Sequence, residues 1–347
     1  MEDSERTPAL SPEPDAKPDS ELGASSFAAG GVARRRVPGH WIFLGPHGMR
    51  AGWSIVAFAG LWFVLISVCQ VLVTPHLHLI RNQPVGPFTG LLLEGSQFVP
   101  VLIATAAMAM FERRPLLFYG YRGSARVVRL ISGIIWGFVA ISAVVLVLRQ
   151  LGYLSIEGRT LSGMGAVQYA GEWGGLFLLV GLTEESTFRG YVQFTITRGI
   201  GFWWGALLFA VLFGFVHGSN GGESPVGLIG AGAVGLIFCL SLWYTGSLWW
   251  AVGFHAAWDW GQSYFYGTAD SGMVAQGHLF SEHATGRELW SGGATGPEGS
   301  VIVFPLLAVV AVLMWAWWGR REKSPFAGSA WGPGRLPVDN WNEERKP

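Results

Sequence analysis

An all-α, polytopic membrane protein of about eight transmembrane helices is the fold class that this sequence predicts. Three observations carry the prediction. Half of the 347 residues are hydrophobic while only 13% are charged. Mean hydropathy is positive. Apolar stretches also recur with lengths close to the ~20 helical residues that cross a hydrocarbon core of about 30 Å. The formal net charge is zero, so bulk electrostatics suggests neither nucleic acid nor an acidic surface as a partner, and membrane lipids are expected as surroundings from the hydrophobic content alone.

The elements follow in order. Residues 1–38 are rich in Pro, Ser, Gly and charge and poor in aromatics, which predicts a disordered cytoplasmic tail. Its acidic start, with no apolar core following, is unlike a signal peptide. Spans are then expected at 52–73, 90–111, 127–148, 171–197, 201–217, 225–245, 247–266 and 301–318. The fifth is short, and the sixth and seventh are divided only by the turn-like Tyr244–Ser247, "YTGS". A Gly-rich loop is expected over 267–300. The transmembrane domain is thus read as 39–320 and the remainder, 321–347, as a second cytoplasmic tail. Cys69 and Cys239 lie in apolar runs, where thiols behave as small hydrophobes, so no disulfide framework is predicted.

Basic residues set the orientation. Arg34–Arg36, Arg50, Arg113, Arg114, Arg122, Arg126, Arg129, Arg198, Arg320, Arg321 and Lys323 fall on one side, against only Arg81, Arg149, Arg159 and Arg287 on the other. A multi-pass cell-membrane protein with both termini cytoplasmic is expected. The 112–129 loop, "ERRPLLFYGYRGSARVVR", is the strongest anchor, either as a plain solvated loop or lying along the headgroups as a basic amphipathic segment.

Ionisable groups at membrane depth cost at least ~2.5 kcal/mol each on insertion scales and mark function more often than not. The fourth span carries Glu184, Glu185 and Arg189, the fifth ends on His217, and the seventh carries His255 and Asp259. Glu94 is placed near a span end, within reach of the interface. Glu185 and Arg189 are four apart and can pair, whereas Glu184 is turned about 100° away and left as the freer carboxylate. His255 and Asp259 are also four apart, so the carboxylate can orient the imidazole. Singly, each residue has a structural reading as interhelical glue. Together, a free carboxylate, two histidines and an aspartate on three helices can activate water and polarise a carbonyl.

These residues form E-E-x-x-x-R, F-x-x-x-H (Phe213, His217) and H-x-x-x-D in that order, and this resembles the CPBP family, also called the Abi or type II CAAX prenyl protease family. The motif-bearing core is 165–266. The resemblance implies a helical bundle enclosing an intramembrane cavity, and an intramembrane endopeptidase acting on a peptide or membrane-protein substrate. It implies that Glu184 is the general base with help from His217, that His255 and position 259 stabilise the oxyanion, and that Arg189 holds the glutamate pair. Some family members have Asn where this chain has Asp259, and an ionised Asp would repel an oxyanion.

Glu184, His217, His255 and Asp259 are also the candidate ligands of a divalent metal such as zinc. There is no HExxH, and the candidates are spread over three helices, so no obligatory metal is expected. At ~1.5 Å per residue, His217 lies about 24 Å from the cytoplasmic start of its span and His255 about 12 Å from that of its own. Those depths disagree. The alternative functions are an ion-coupled transporter and a catalytically inactive immunity or scaffold protein.

Overall fold

The structure is a computed structural model that describes residues 40–45, 48–76, 86–123, 125–321 and 323–327. The tail expected over 1–38 and most of that over 321–347 lie outside the described residues. A short turn of helix, α1 (His40–Phe43), and a two-stranded hairpin, β1 (Leu44–Gly45) with β2 (Gly48–Met49), lead into the helices. These are α2 (Ala51–Val73), α3 (Pro87–Phe111), α4 (Arg126–Gln150), α5 (Gly163–Phe188), α6 (Tyr191–Ile200), α7 (Phe202–His217), α8 (Pro225–Thr245) and α9 (Trp249–Asp259). After α9 the chain runs on as a π-helical turn over Trp260–Tyr266. The short α10 (Glu288–Ser291) and α11 (Val303–Met314) follow.

The chain is mostly helical and multi-pass in character, as expected, but the count of eight spans is not reproduced. Among the described residues four helices, α2, α3, α4 and α8, are long and apolar enough to cross a membrane, and α7 and Val303–Gly319 are shorter apolar helices. The fourth expected span is broken. Arg189 caps α5 with a backbone bond to Glu185, and Gly190 separates it from α6. A Cβ on Gly190 would sit 2.4 Å from the Ser186 carbonyl oxygen, so the break needs a glycine.

The Tyr244–Ser247 divide does hold. Gly246 takes a left-handed conformation (φ +63°) as the C-cap of α8, its N–H donating to Leu242, the usual glycine stop. At the other end, the Ser224 side chain accepts from the Gly227 N–H and Pro225 occupies the first turn.

Strands were not expected between the spans, yet β3 (Leu154–Arg159) pairs antiparallel with β4 (Phe280–Ala284), with an irregularity between Ile156 and Gly158. The 267–300 segment is therefore anchored and not simply a Gly-rich loop. Its alternation was obscured by the glycines around it, because a short ribbon with one bulge leaves little period-2 signal.

Helix α9 is the centre of the arrangement: every residue from Trp250 to Asp259 is buried. Its backbone lies directly on α4. A Cβ on Gly133 or Gly137 would approach the carbonyl oxygens of Trp250 or Phe254 to 2.2 Å, and one on Gly253 would approach that of Leu130 equally closely. Small residues four apart let helices touch in a membrane, where dispersion and not water exclusion drives packing. Helix α2, by contrast, exposes Val56, Phe63, Val64 and Val71, the surface expected of a helix against lipid tails. Beyond residue 320, Phe326 is buried among Phe194, Phe202 and Trp243.

Candidate active site

Four elements bring the charged residues of the sequence together. Near the end of α5, consecutive positions diverge by a quarter-turn or more. Glu185 points inward, fully buried, and its Oε1 lies 3.0 Å from Arg189 Nη1. Glu184 retains 29% side-chain exposure and lines a cavity of about 290 Å³. Arg189 therefore holds Glu185 alone and not the glutamate pair.

The rest of the Arg189 guanidinium is packed against rings, 4.2 Å from the Phe213 centroid and 5.6 Å from that of Phe238. Its Nε and Nη2 have no hydrogen-bond acceptor, so these cation–π contacts carry the remaining contribution. Gly235 makes room for it, since a Cβ there would meet Nη2 at 2.4 Å.

His255 joins the two carboxylates. Its Nδ1 lies 3.3 Å from Glu185 Oε1, while its Nε2 faces Glu184 Oε2 and Asp259 Oδ2, each at 3.6 Å. An ionised Glu185 paired with Arg189 can only accept, which places the Nδ1 proton toward it. Two carboxylates facing the other nitrogen repel one another unless a proton lies among the three groups. Phe238 stacks on the imidazole at 5.4 Å and holds its plane. Gly181 brings α5 against α9, with room for no Cβ beyond 2.9 Å from the Val252 carbonyl oxygen.

His217 comes from a third helix, α7. It lines the same cavity from the last residue of α7, and its Nδ1–H donates to the Phe213 carbonyl at 2.8 Å. That leaves Nε2 as the nitrogen with a free lone pair. The Phe213 ring contacts both imidazoles, with centroids 4.5 Å from His217 and 6.2 Å from His255. Among the described residues no hydrogen bond joins His217 to Glu184.

The candidate metal ligands do not fit an ion. Among the described residues no three His, Cys, Asp or Glu side chains are placed to hold one. His255 turns its Nδ1 to the Glu185–Arg189 pair, and the His217 Nδ1 is engaged by the Phe213 carbonyl.

The cavity lining also includes residues outside the three motifs. Glu94, which the sequence placed near a span end, lines the cavity, with Gln97 donating to it at 3.2 Å. Glu223, Asp270 and Glu298 form a rim from the 218–224 and 267–300 segments. Glu298 accepts from both the N–H and the hydroxyl of Ser271, and Ser263 donates to Asp270. Burial, and then the neighbouring Asp259 and Glu298, push the Asp270 carboxyl well above the usual range. Burial followed by Glu298 raises Glu223. No local pattern marks these positions, because the rim is assembled from loops distant in sequence.

A further residue bears on the helix break. Glu112, in the "ERRP" after the second span, accepts from Tyr119, Tyr191 and Arg198 at 2.8–3.1 Å. It ties the end of α3 to α6 just past the helix break, and so fixes where α5 stops.

Residues 166–261 match the family model described as type II CAAX prenyl endopeptidase Rce1-like. This Rce1-like segment contains Glu184, Glu185, Arg189, Phe213, His217, His255 and Asp259 and agrees with the resemblance carried by the motifs. It leaves out Glu94 and the Asp270–Glu298 rim. At the level of the family the match supports a membrane protease. No curated protein matches the chain, and no solved structure does.

Proposed function

We propose that the protein is an intramembrane endopeptidase that hydrolyses a peptide bond with a water activated by Glu184. The observation that carries this reading is the division of labour between consecutive carboxylates: Glu185 is neutralised by Arg189 in the dry interior, while Glu184 faces the cavity across His255. A water beside Glu184 would give up its proton as its oxygen adds to the substrate carbonyl carbon. The C–N bond then breaks as the proton passes from Glu184 to the departing amine. The Nε2 face of His255, with the proton held among His255, Glu184 and Asp259, is suited to the developing oxyanion. His217 Nε2, the cavity's second basic nitrogen, is placed to orient water or the leaving amine at longer range. Arg189 acts through Glu185, as a positioning residue. No step is routed through a metal.

The arginine asymmetry supports both termini being cytoplasmic in the cell membrane. In that orientation the acidic rim of 218–224 and 267–300 opens away from the cytoplasm, toward peptide or membrane-protein substrates on that side. Two experiments test the reading. The purified chain in liposomes should cleave peptide or membrane-protein reporters and pass no ions, and a Glu184→Ala chain should do neither. Ion flux without cleavage would instead support a transporter. An impermeant thiol reagent should label cysteines engineered into 267–300 from outside the cell, and labelling of the 112–125 connection from outside overturns the orientation.

A further inference from the structure

The molecule holds a second cavity that the proposed reaction does not use. It has a volume of about 150 Å³, and Phe98, Leu102, Leu117, Tyr121, Leu182 and Trp249 are among its walls. It lies between α3, α5 and the 112–125 connection, and its lining is almost wholly apolar.

The connection beside it is fastened in place. The Leu248 N–H donates to the Gly120 carbonyl at 2.8 Å, and the Trp249 indole donates to Tyr121 O at 3.2 Å. The Tyr121 hydroxyl lies 2.7 Å from that of Ser186 on α5. Gly120 has φ +92°, and a Cβ there would collide with Leu248 at 2.6 Å. The wall is thus built and does not merely hang over the helices.

The same short segment is strongly basic. Arg113, Arg122 and Arg126 are exposed, and none has a carboxylate partner among the described residues. Its own acidic residue, Glu112, is engaged by Tyr119, Tyr191 and Arg198. Between the arginines, Leu116 and Leu117 are exposed. An apolar slot among membrane helices, a tryptophan in its wall and unneutralised cations on the adjoining connection match a lipid, with an acyl chain below and a phosphate above. A hydrophobic peptide side chain would satisfy the slot but leave the arginines without a counterion.

We propose that this cavity and the arginines beside it bind one anionic phospholipid, an acyl chain occupying the cavity and the headgroup phosphate resting on Arg113, Arg122 and Arg126. The site is independent of the proteolytic reading, although Ser186 places its occupant one residue from Glu185.

The test uses the full chain in phosphatidylcholine nanodiscs doped with a phosphatidylglycerol analogue that carries a photoreactive diazirine on its acyl chain. Adducts are mapped by mass spectrometry. They are expected within 98–105, 116–121 and 182–191, and unlabelled phosphatidylglycerol should compete for them where phosphatidylcholine does not. Arg122→Ala and Arg126→Ala should each lower the yield about fivefold. Leu102→Trp, which narrows the slot, should lower it with all arginines intact. Adducts spread evenly over the exposed faces of α2 and α4, equal yield from a phosphatidylcholine analogue, or unchanged yield in these variants overturns the proposal. Displacement by a lipidated peptide irrespective of headgroup charge assigns the cavity to substrate and overturns it equally.

Discussion

Helix α5 is the wall of two cavities that could hardly differ more. Toward one side it presents Phe177, Val180 and Glu184 to a space edged by Glu94, Glu223, Asp259, Asp270 and Glu298 and two histidines. Toward the other it presents Leu182 and Ser186 to an apolar slot. Between these faces, Glu185 is sealed with Arg189. The contrast teaches that charge inside this membrane domain is not spread but sorted by helix face: cavity-lining carboxylates to the open side, an ion-paired glutamate and arginine to the interior, and none to the apolar slot.

The largest expected effect falls on the open side. Glu184→Gln keeps the shape and removes the base, so the cleavage rate should fall by about 10²–10⁴-fold while thermal unfolding shifts little. A mutant that retains most activity would dissolve the distinction between the two glutamates. Glu185→Gln tests the interior face. It strands a buried guanidinium, and loss of one partner of a buried pair costs about 3–5 kcal/mol. The change should therefore appear first in unfolding temperature and expression. Equal loss of activity in both mutants with no destabilisation in either would show that they act alike.

Next comes the packing that sets α9 beside α5. Gly137→Ala forces a methyl against the Phe254 carbonyl, one residue from His255, and overpacking of this kind costs about 1–3 kcal/mol. Stability and turnover should fall together, while the same change at Gly60, inside α2 where a Cβ meets nothing within 4 Å, should leave turnover unchanged and raise stability by up to about 1 kcal/mol.

The apolar side predicts a smaller effect of opposite sign. The Thr105 hydroxyl lines the slot, buried without a partner. Thr105→Val should be neutral or stabilising by about 1 kcal/mol, measured by thermal unfolding.

The smallest effect serves as a reference outside both cavities. Burial lifts the Glu282 carboxyl from its ordinary 4.5 to about 8, and both its oxygens lack partners. A raised carboxyl pKa means that the folded chain holds a proton which the unfolded chain has released, so stability declines as pH rises from about 4.5 through about 8. Glu282→Gln should flatten that slope and leave the response of the cavity variants unchanged.

Much of this sorting was legible before any coordinates. The i,i+4 spacing separated Glu185 with Arg189 from Glu184, and the motif order placed His255 and Asp259 with them, because helical periodicity converts spacing into facing. The helix positions were legible for the same reason: long apolar runs bounded by Gly246 or by Ser224–Pro225 leave few alternatives. The break at Arg189–Gly190 was not, since the apolar run continues through it and only the clash of a Cβ with Ser186 reveals the turn. The rim of Glu223, Asp270 and Glu298 was hidden because loops carry no period. Glu112 was hidden because two of its three donors, Tyr191 and Arg198, arrive from α6, about 80 residues away in sequence.

The opposed faces of α5 also bear on how the chain can change length. At 3.6 residues per turn, inserting or deleting one residue within Gly163–Phe188 would rotate all that precedes it by about 100° relative to Glu184 and Arg189. Trp173 and Leu176 would leave their packing, and Gly181, at the α9 contact, would be replaced by a neighbour with a side chain. Indels in this helix should therefore be purged. In a lineage descended from this chain, length should drift outside the helix and remain constant within it.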